Sequence, residues 1–150
     1  MELKSLVKPS SVITGIKAKT KKQLLQDLAE VAGRISAVPQ HIIFEALLQR
    51  ERLGSTGVGR GIAIPHCRIA EANELVVIFA RLETAIAFDA ADSEPVDLVA
   101  PEHAGADHLK ALACISRAMR DAHMVKKLRA ARDKSAVFAI LTESAASPAS

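Results

Sequence analysis

The sequence predicts an α/β sandwich, a single domain in which helices pack on a sheet. Three observations carry that prediction. Short runs rich in Val, Ile and Leu alternate with segments of helical period, the pattern of helices packed on a sheet. Hydrophobic residues make up 49% of the chain, yet only four residues are aromatic, all Phe, with no Trp or Tyr. Ala, Leu, Ile and Val must therefore fill the core. The length of 150 residues suits one compact domain that buries about two-thirds of its unfolded surface.

Taken in order, residues 11–17 (SVITGIK) read as a short strand. Thr20 looks like an N-cap, with Gln23 three residues on completing a capping box. Leu24, Leu25, Leu28, Val31 and Ile35 then recur at helical spacing, which predicts a first helix over 21–36. Pro39 opens a second helix ending near Arg52, with Ile42, Ile43, Ala46 and Leu47 on its apolar face. Gly54, Gly57, Gly59 and Gly61 follow closely, a density that no helix survives, so this stretch is a loop. Residues 62–64 form a short apolar run stopped by Pro65, a strand ending at a turn that holds His66. Residues 75–82 (LVVIFARL) are the clearest strand, and 96–99 a shorter one after the turn-like Asp92-Ser93-Glu94-Pro95. Helical period returns over 107–120, with Leu109, Leu112, Ile115 and Met119 in phase. Further helices are expected over 124–131 and 135–141. The domain is expected to span 1–143, with 144–150 a small, polar tail.

Charge and cysteine content narrow the function. The net charge is +3, with 20 basic and 17 acidic residues spread without the dense Lys/Arg tract of a nucleic-acid arm. The N-terminus lacks the apolar run of a signal peptide, and nothing approaches the ~20 apolar residues of a membrane span. Cys67 and Cys114 make no disulfide framework, so a cytoplasmic location is expected.

The segment from Arg50 to His66, RERLGSTGVGRGIAIPH, carries the chemistry. Glycine-rich backbone lets N–H groups converge on phosphate oxygens. Ser55 and Thr56 add hydroxyls, and Arg50, Arg52 and Arg60 add positive charge. The segment delivers a histidine just after a strand, and a largely unprotonated imidazole is a good phosphoryl nucleophile near neutral pH. A mobile glycine connection with a structural histidine remains an equal reading of these residues. A nucleotide site is disfavoured because neither GxxxxGK[ST] nor GxGxxG is present. A zinc site from His66, His103 and His108 lacks tight ligand spacing, and a Cys67–His66 dyad fails because neighbours on an extended chain point to opposite sides. His41, His103 and His123 read as solvent-facing, and Arg50 and Arg52 at a helix end suit the macrodipole without any function. No metal or cofactor is expected.

RERLGSTGVGRGIAIPH resembles the active-site signature of type-2 IIA domains of the bacterial phosphotransferase system, most of all their nitrogen-regulatory branch. The resemblance continues through LETAIAFDA, PVDLV, PEHAGADHLKALA and KLRAARDKSAVFAIL, nearly the whole chain. It implies a mixed β-sheet flanked by α-helices, and that His66 accepts a phosphoryl group, as a tele-phosphohistidine, from an HPr-like carrier (NPr in the nitrogen branch) charged by an enzyme I paralogue. It makes His108 the supporting imidazole and Arg50 the phosphate-neutralising cation, with Gly54, Ser55, Thr56, Gly57 and Gly59 as the phosphate loop. Regulatory targets such as potassium transporters or sensor kinases are implied, and a homodimer is left open. Two readings stand beside this one: a fructose- or mannitol-type IIA passing phosphate to a IIB domain, and a non-catalytic interaction module that has lost phosphotransfer.

Two departures from the family pattern create expectations. Cys67 occupies a position usually held by glycine, where a side chain is expected to narrow the phosphoryl pocket and add an oxidation site. PVDLV also runs into Ala100-Pro101 about four residues early, removing ~13 Å of extended chain. A truncated strand or a taut loop, with His108 displaced, is the expected consequence.

Overall fold

The computed structural model describes residues 2–70, 72, 74–104 and 109–146. Its strands form two mixed sheets. The larger has the order β1 (Val12–Ile16), β6 (Phe79–Ile86), β7 (Val96–Val99), β3 (Ile62–Ala63), β2 (Gly57–Gly59). The smaller has the order β4 (His66–Arg68), β8 (Glu102–Ala104), β5 (Val76–Val77). Strands β1 and β6, and β3 and β7, run parallel; β6–β7 and β2–β3 are antiparallel.

Both sheets are cut along one row. Ile62 and Ala63 pair with Leu98 and Val99, and His66, Cys67 and Arg68 pair with Glu102, His103 and Ala104 at the same offset. At that offset Pro65 stands opposite Pro101. Neither proline has an N–H to give a ladder, so regular pairing lapses there. Their carbonyls still bridge the gap, Pro65 accepting from the Glu102 amide at 2.9 Å and Pro101 from the Ile78 amide at 2.9 Å. The predicted strand 75–82 is accordingly divided at Ile78 into β5 and a longer β6. The expected truncation after PVDLV is also corrected. Pairing resumes beyond Pro101, so residues 96–104 remain extended beside 62–68.

Helices cover both faces. α2 (Lys21–Ile35) and α3 (Gln40–Leu53) lie on one side, where Leu24, Leu28, Ile43 and Leu47 pack on Ala63, Ala80, Val99, Val76 and Ile78. The four-residue α1 (Leu3–Leu6), with α4 (Leu109–Arg120), α5 (Ala122–Ala130) and α6 (Lys134–Ala146), lies on the other. There Ile115, Leu128, Val137 and Leu141 pack on Val12, Ile62, Phe79 and Leu98. The alternation Ile62/Ala63, Phe79/Ala80 and Leu98/Val99 between the two faces is the two-residue period of a strand buried on both sides.

The predicted capping signals are realised. Thr20 Oγ1 accepts from the Gln23 amide at 3.1 Å, while Gln23 Oε1 accepts from Lys19, one residue before the cap, at 3.1 Å. Asp121, not anticipated as a cap, starts α5 two residues before the expected helix by accepting from His123 at 3.0 Å and Met124 at 3.3 Å. At its other end Arg81 of β6 donates to Leu128 O at 2.8 Å and Ala131 O at 2.7 Å, a cation on the negative end of the helix. Helix α6 reaches Ala146, beyond the expected end.

Candidate functional site

The glycine-rich segment folds as a hairpin rather than an open loop. β2 turns into β3 through Arg60 and Gly61, both at positive φ (57° and 80°), the backbone pair that a two-residue hairpin turn requires. The positive φ favours glycine at Gly61, and an added Cβ would lie 2.5 Å from Arg129 Nη2 and displace that guanidinium. Arg129 holds the turn by donating to Arg60 O at 2.7 Å while pairing with Asp97 at 2.9 Å. The Arg60 amide donates to Asp92 at 2.9 Å. Amide donation from Arg60 and then Glu94 keeps the Asp92 carboxyl below its usual range.

The other end of this segment is built around Glu51. This carboxylate is buried on the last turn of α3. Its Oε1 accepts from the Thr56 amide at 3.1 Å and pairs with Lys21 Nζ at 2.9 Å, and its Oε2 accepts the Thr56 hydroxyl. Lys21 also lies over the Phe88 ring, 4.5 Å from its centroid. Ser55 donates its hydroxyl to Phe88 O at 2.8 Å and accepts from the Gly57 amide at 3.0 Å. The Gly54 amide donates to Glu51 O at 3.1 Å. The expected phosphate cradle is thus corrected in part. The amides of Gly54, Thr56 and Gly57 and both hydroxyls are committed within the frame, and a buried carboxylate cannot be left with fewer partners cheaply. Gly59 is buried at the hairpin end, where its added Cβ would lie 3.0 Å from Asp92.

The frame positions His66. Ile64 donates its amide to Thr56 O at 3.0 Å, fixing the chain two residues before the histidine. His66 is half-buried, and its Nδ1 lies 2.9 Å from Ile64 O. A carbonyl only accepts, so Nδ1 is the donor, and in the neutral tautomer that this contact selects the lone pair is on Nε2. Helix α3, whose last turn carries Arg50, packs against β4, the strand that begins with His66. Arg50, on that turn, donates to Gly54 O at 2.8 Å with one of its five N–H groups. His108 lies outside the described residues.

Three residues behave differently from the sequence reading. His103, read as solvent-facing, is 3% exposed on β8, and its Nε2 has no hydrogen-bond partner among the described residues. Burial lowers its pKa from 6.5, against a smaller opposing effect of Glu74. Cys67 does not narrow the phosphoryl pocket: it alternates to the face of α2 and α3 and packs there with Leu25, Ile43 and Val76. Burial, and then the Glu102 carboxylate, push its thiol up to about 12, which removes the thiolate an oxidation site needs. Glu102, assigned no role by the sequence, is 1% exposed and is the register partner of His66. Its only sequence signal was an acidic residue between two buried-strand segments, PVDLV and Ala104.

Residues 5–144 match the family described as "Phosphoenolpyruvate-dependent sugar phosphotransferase system, EIIA 2". The chain belongs to that family. Nitrogen regulatory protein of Bradyrhizobium diazoefficiens is 47% identical over 145 residues, covering 94% of this chain and 95% of its own. The Escherichia coli nitrogen regulatory protein is 35% identical over 153 residues, covering 99% and 94%. The crystal structure of nitrogen regulatory protein IIA-Ntr from Neisseria meningitidis superposes with a TM-score of 0.87 at 29% identity, covering 93% of this chain and 99% of that one. The EIIA chain described above is therefore of the nitrogen-regulatory type, and its α/β sandwich is the fold of that IIA protein. Among the described residues no helix is long and apolar enough to cross a membrane.

Proposed function

We propose that this EIIA protein is a regulatory phosphocarrier of the nitrogen branch, phosphorylated on His66 Nε2. The observation that carries the reading is the Nδ1 contact to Ile64 O at 2.9 Å. It selects the tautomer whose nucleophilic lone pair sits on Nε2 and holds the ring against rotation. In the transfer, a bond forms between Nε2 and the phosphorus of a phosphohistidine on an HPr-like carrier (NPr) as the donor P–N bond breaks. The proton stays on Nδ1, donated to Ile64 O throughout, so the attacking nitrogen needs no separate base. Arg50 supplies positive charge where the phosphoryl dianion arrives. His108 is the second imidazole of the site in this reading. The donor is charged from phosphoenolpyruvate by an enzyme I paralogue in the cytoplasm. The added charge, up to two negative at neutral pH, changes which regulatory targets bind, with potassium transporters and sensor kinases the classes in view.

The test is transfer of label from radioactive phosphoenolpyruvate through purified enzyme I and HPr homologues. Acid-labile label on the wild-type chain, absent from His66→Ala, is the expected result. Equal labelling of that variant overturns the assignment. Efficient onward transfer to a purified fructose- or mannitol-type IIB domain would instead favour the sugar-specific reading, and partner binding indifferent to phosphoenolpyruvate the non-catalytic one. His108→Ala is expected to slow labelling without abolishing it.

A further inference from the structure

At the end of the glycine hairpin remote from His66, the molecule carries a cleft of about 410 Å³. Its floor is apolar, formed by Ile62 of β3 and by Ala122, Val125 and Ala130 of α5. Its remaining walls are cationic: Arg60, Lys126 and Arg129. On α5 the lining residues 122, 125, 126, 129 and 130 recur at helical spacing, so one face of the helix looks across the cleft at the hairpin turn. The volume lies within the roughly 300–1,000 Å³ of small-molecule sites, which are likewise apolar with a few fixed polar groups.

The charges are of two kinds. Arg129 is spent on structure, paired with Asp97 and bonded to Arg60 O. Among the described residues, the Arg60 guanidinium and the Lys126 ammonium have no carboxylate partner. Arg60 is moreover held at φ 57°, a conformation that is strained for a side-chain-bearing residue and that glycine adopts freely. The turn uses the backbone of Arg60, whose amide donates to Asp92 and whose carbonyl accepts from Arg129, and among the described residues its side chain has no hydrogen bond. Two uncompensated cations bordering a dry floor attract an anion and reject a neutral molecule of the same shape.

We infer that this cleft is a binding site for a small amphiphilic anion, an organic carboxylate or phosphate ester whose apolar body rests on Ile62 and Val125 while Arg60 and Lys126 meet its charge. Ile62 lies four residues from His66, ~13 Å along extended chain, so the site is separate from the proposed phosphoryl acceptor and does not depend on its assignment. An occupant would bear on the turn from which the chain runs directly to His66.

The probe is 1-anilinonaphthalene-8-sulfonate, an anion with an apolar body whose fluorescence rises in dry sites, titrated against the full chain. Saturable binding at one site is expected, weakened about tenfold by Lys126→Ala and by Arg60→Gly. Both substitutions suit the local backbone, and unchanged circular dichroism and thermal midpoint identify folded variants. Amide shifts confined to 60–62 and 122–130 should accompany binding. Uncharged N-phenyl-1-naphthylamine should bind at least tenfold more weakly. Displacement by phenyl phosphate but not benzoate assigns the phosphate-ester class, and the reverse the carboxylate class. Affinity unchanged in both variants, equal binding of the neutral analogue, or shifts elsewhere on the molecule would overturn the site, whatever the outcome at His66.

Discussion

The two sheets differ in what they bury. The five-stranded sheet is closed on both faces by aliphatic side chains and Phe79, with Val12, Ala63, Ala80, Val96 and Leu98 each wholly buried. The three-stranded sheet, continuing the same chain beyond the row of Pro65 and Pro101, buries Glu102, His103 and Cys67 and begins with His66. One sheet derives its stability from apolar burial, which is non-directional and tolerant of small shifts. The other holds titratable groups whose partners and protonation states matter, so it contributes less stability and more chemistry. Separating the two lets a strained or charged site sit on a scaffold that does not depend on it.

Substitutions on either side of the proline row should expose that division. Leu98→Ala in the five-stranded sheet is expected to cost about 3 kcal/mol by urea unfolding, with labelling at His66 intact wherever the protein is folded. Loss of labelling in the folded variant would mean the sheets are not separable. Glu51→Ala, at the junction, leaves Lys21 and both Thr56 donors without their acceptor. A loss of about 2 kcal/mol is expected, less than for a fully buried pair because Lys21 keeps some solvent contact. Labelling should also slow, because the frame that leads to Ile64 and His66 loosens; wild-type transfer rates would remove Glu51 from any positioning role.

His103→Leu tests the smaller sheet by pH. The fold accepts the neutral ring, so its folded pKa lies below the 6.5 of the unfolded chain. As pH falls through 6.5 the unfolded state takes up the proton first, and stability present above that pH is lost below it. His103→Leu should flatten this fall between pH 7 and 5 and cost little at pH 7, since it removes a buried atom with no hydrogen-bond partner among the described residues. An unchanged slope would place the acid sensitivity elsewhere. Arg129→Ala, which removes a half-exposed ion pair and one hydrogen bond to Arg60 O, is expected to lower stability in urea unfolding by about 1 kcal/mol or less.

Much of this was legible along the chain. The helix beginning at Thr20, the strand at Val12, the turn before Val96 and the histidine delivered after Ile64-Pro65 follow from patterns a few residues long. The committed hydroxyls of Ser55 and Thr56 were not legible, because Glu51 looks like any acidic residue at a helix end until its burial is known. His103 and Cys67 were misread for the same reason: an alternating strand shows that neighbours part company, but not which face is dry.

Short-range pattern carries the period of the helices and of the longer strands, the cap at Thr20 and the family to which the glycine–histidine motif belongs, because each is read within a few neighbouring residues. It does not show that Pro101 interrupts a ladder without ending it, that Glu102 is the register partner of His66, or that α5 faces the hairpin turn across a cleft. Those are matters of register and burial. They are set by which distant segments pair and how closely they pack, and no short-range pattern encodes that.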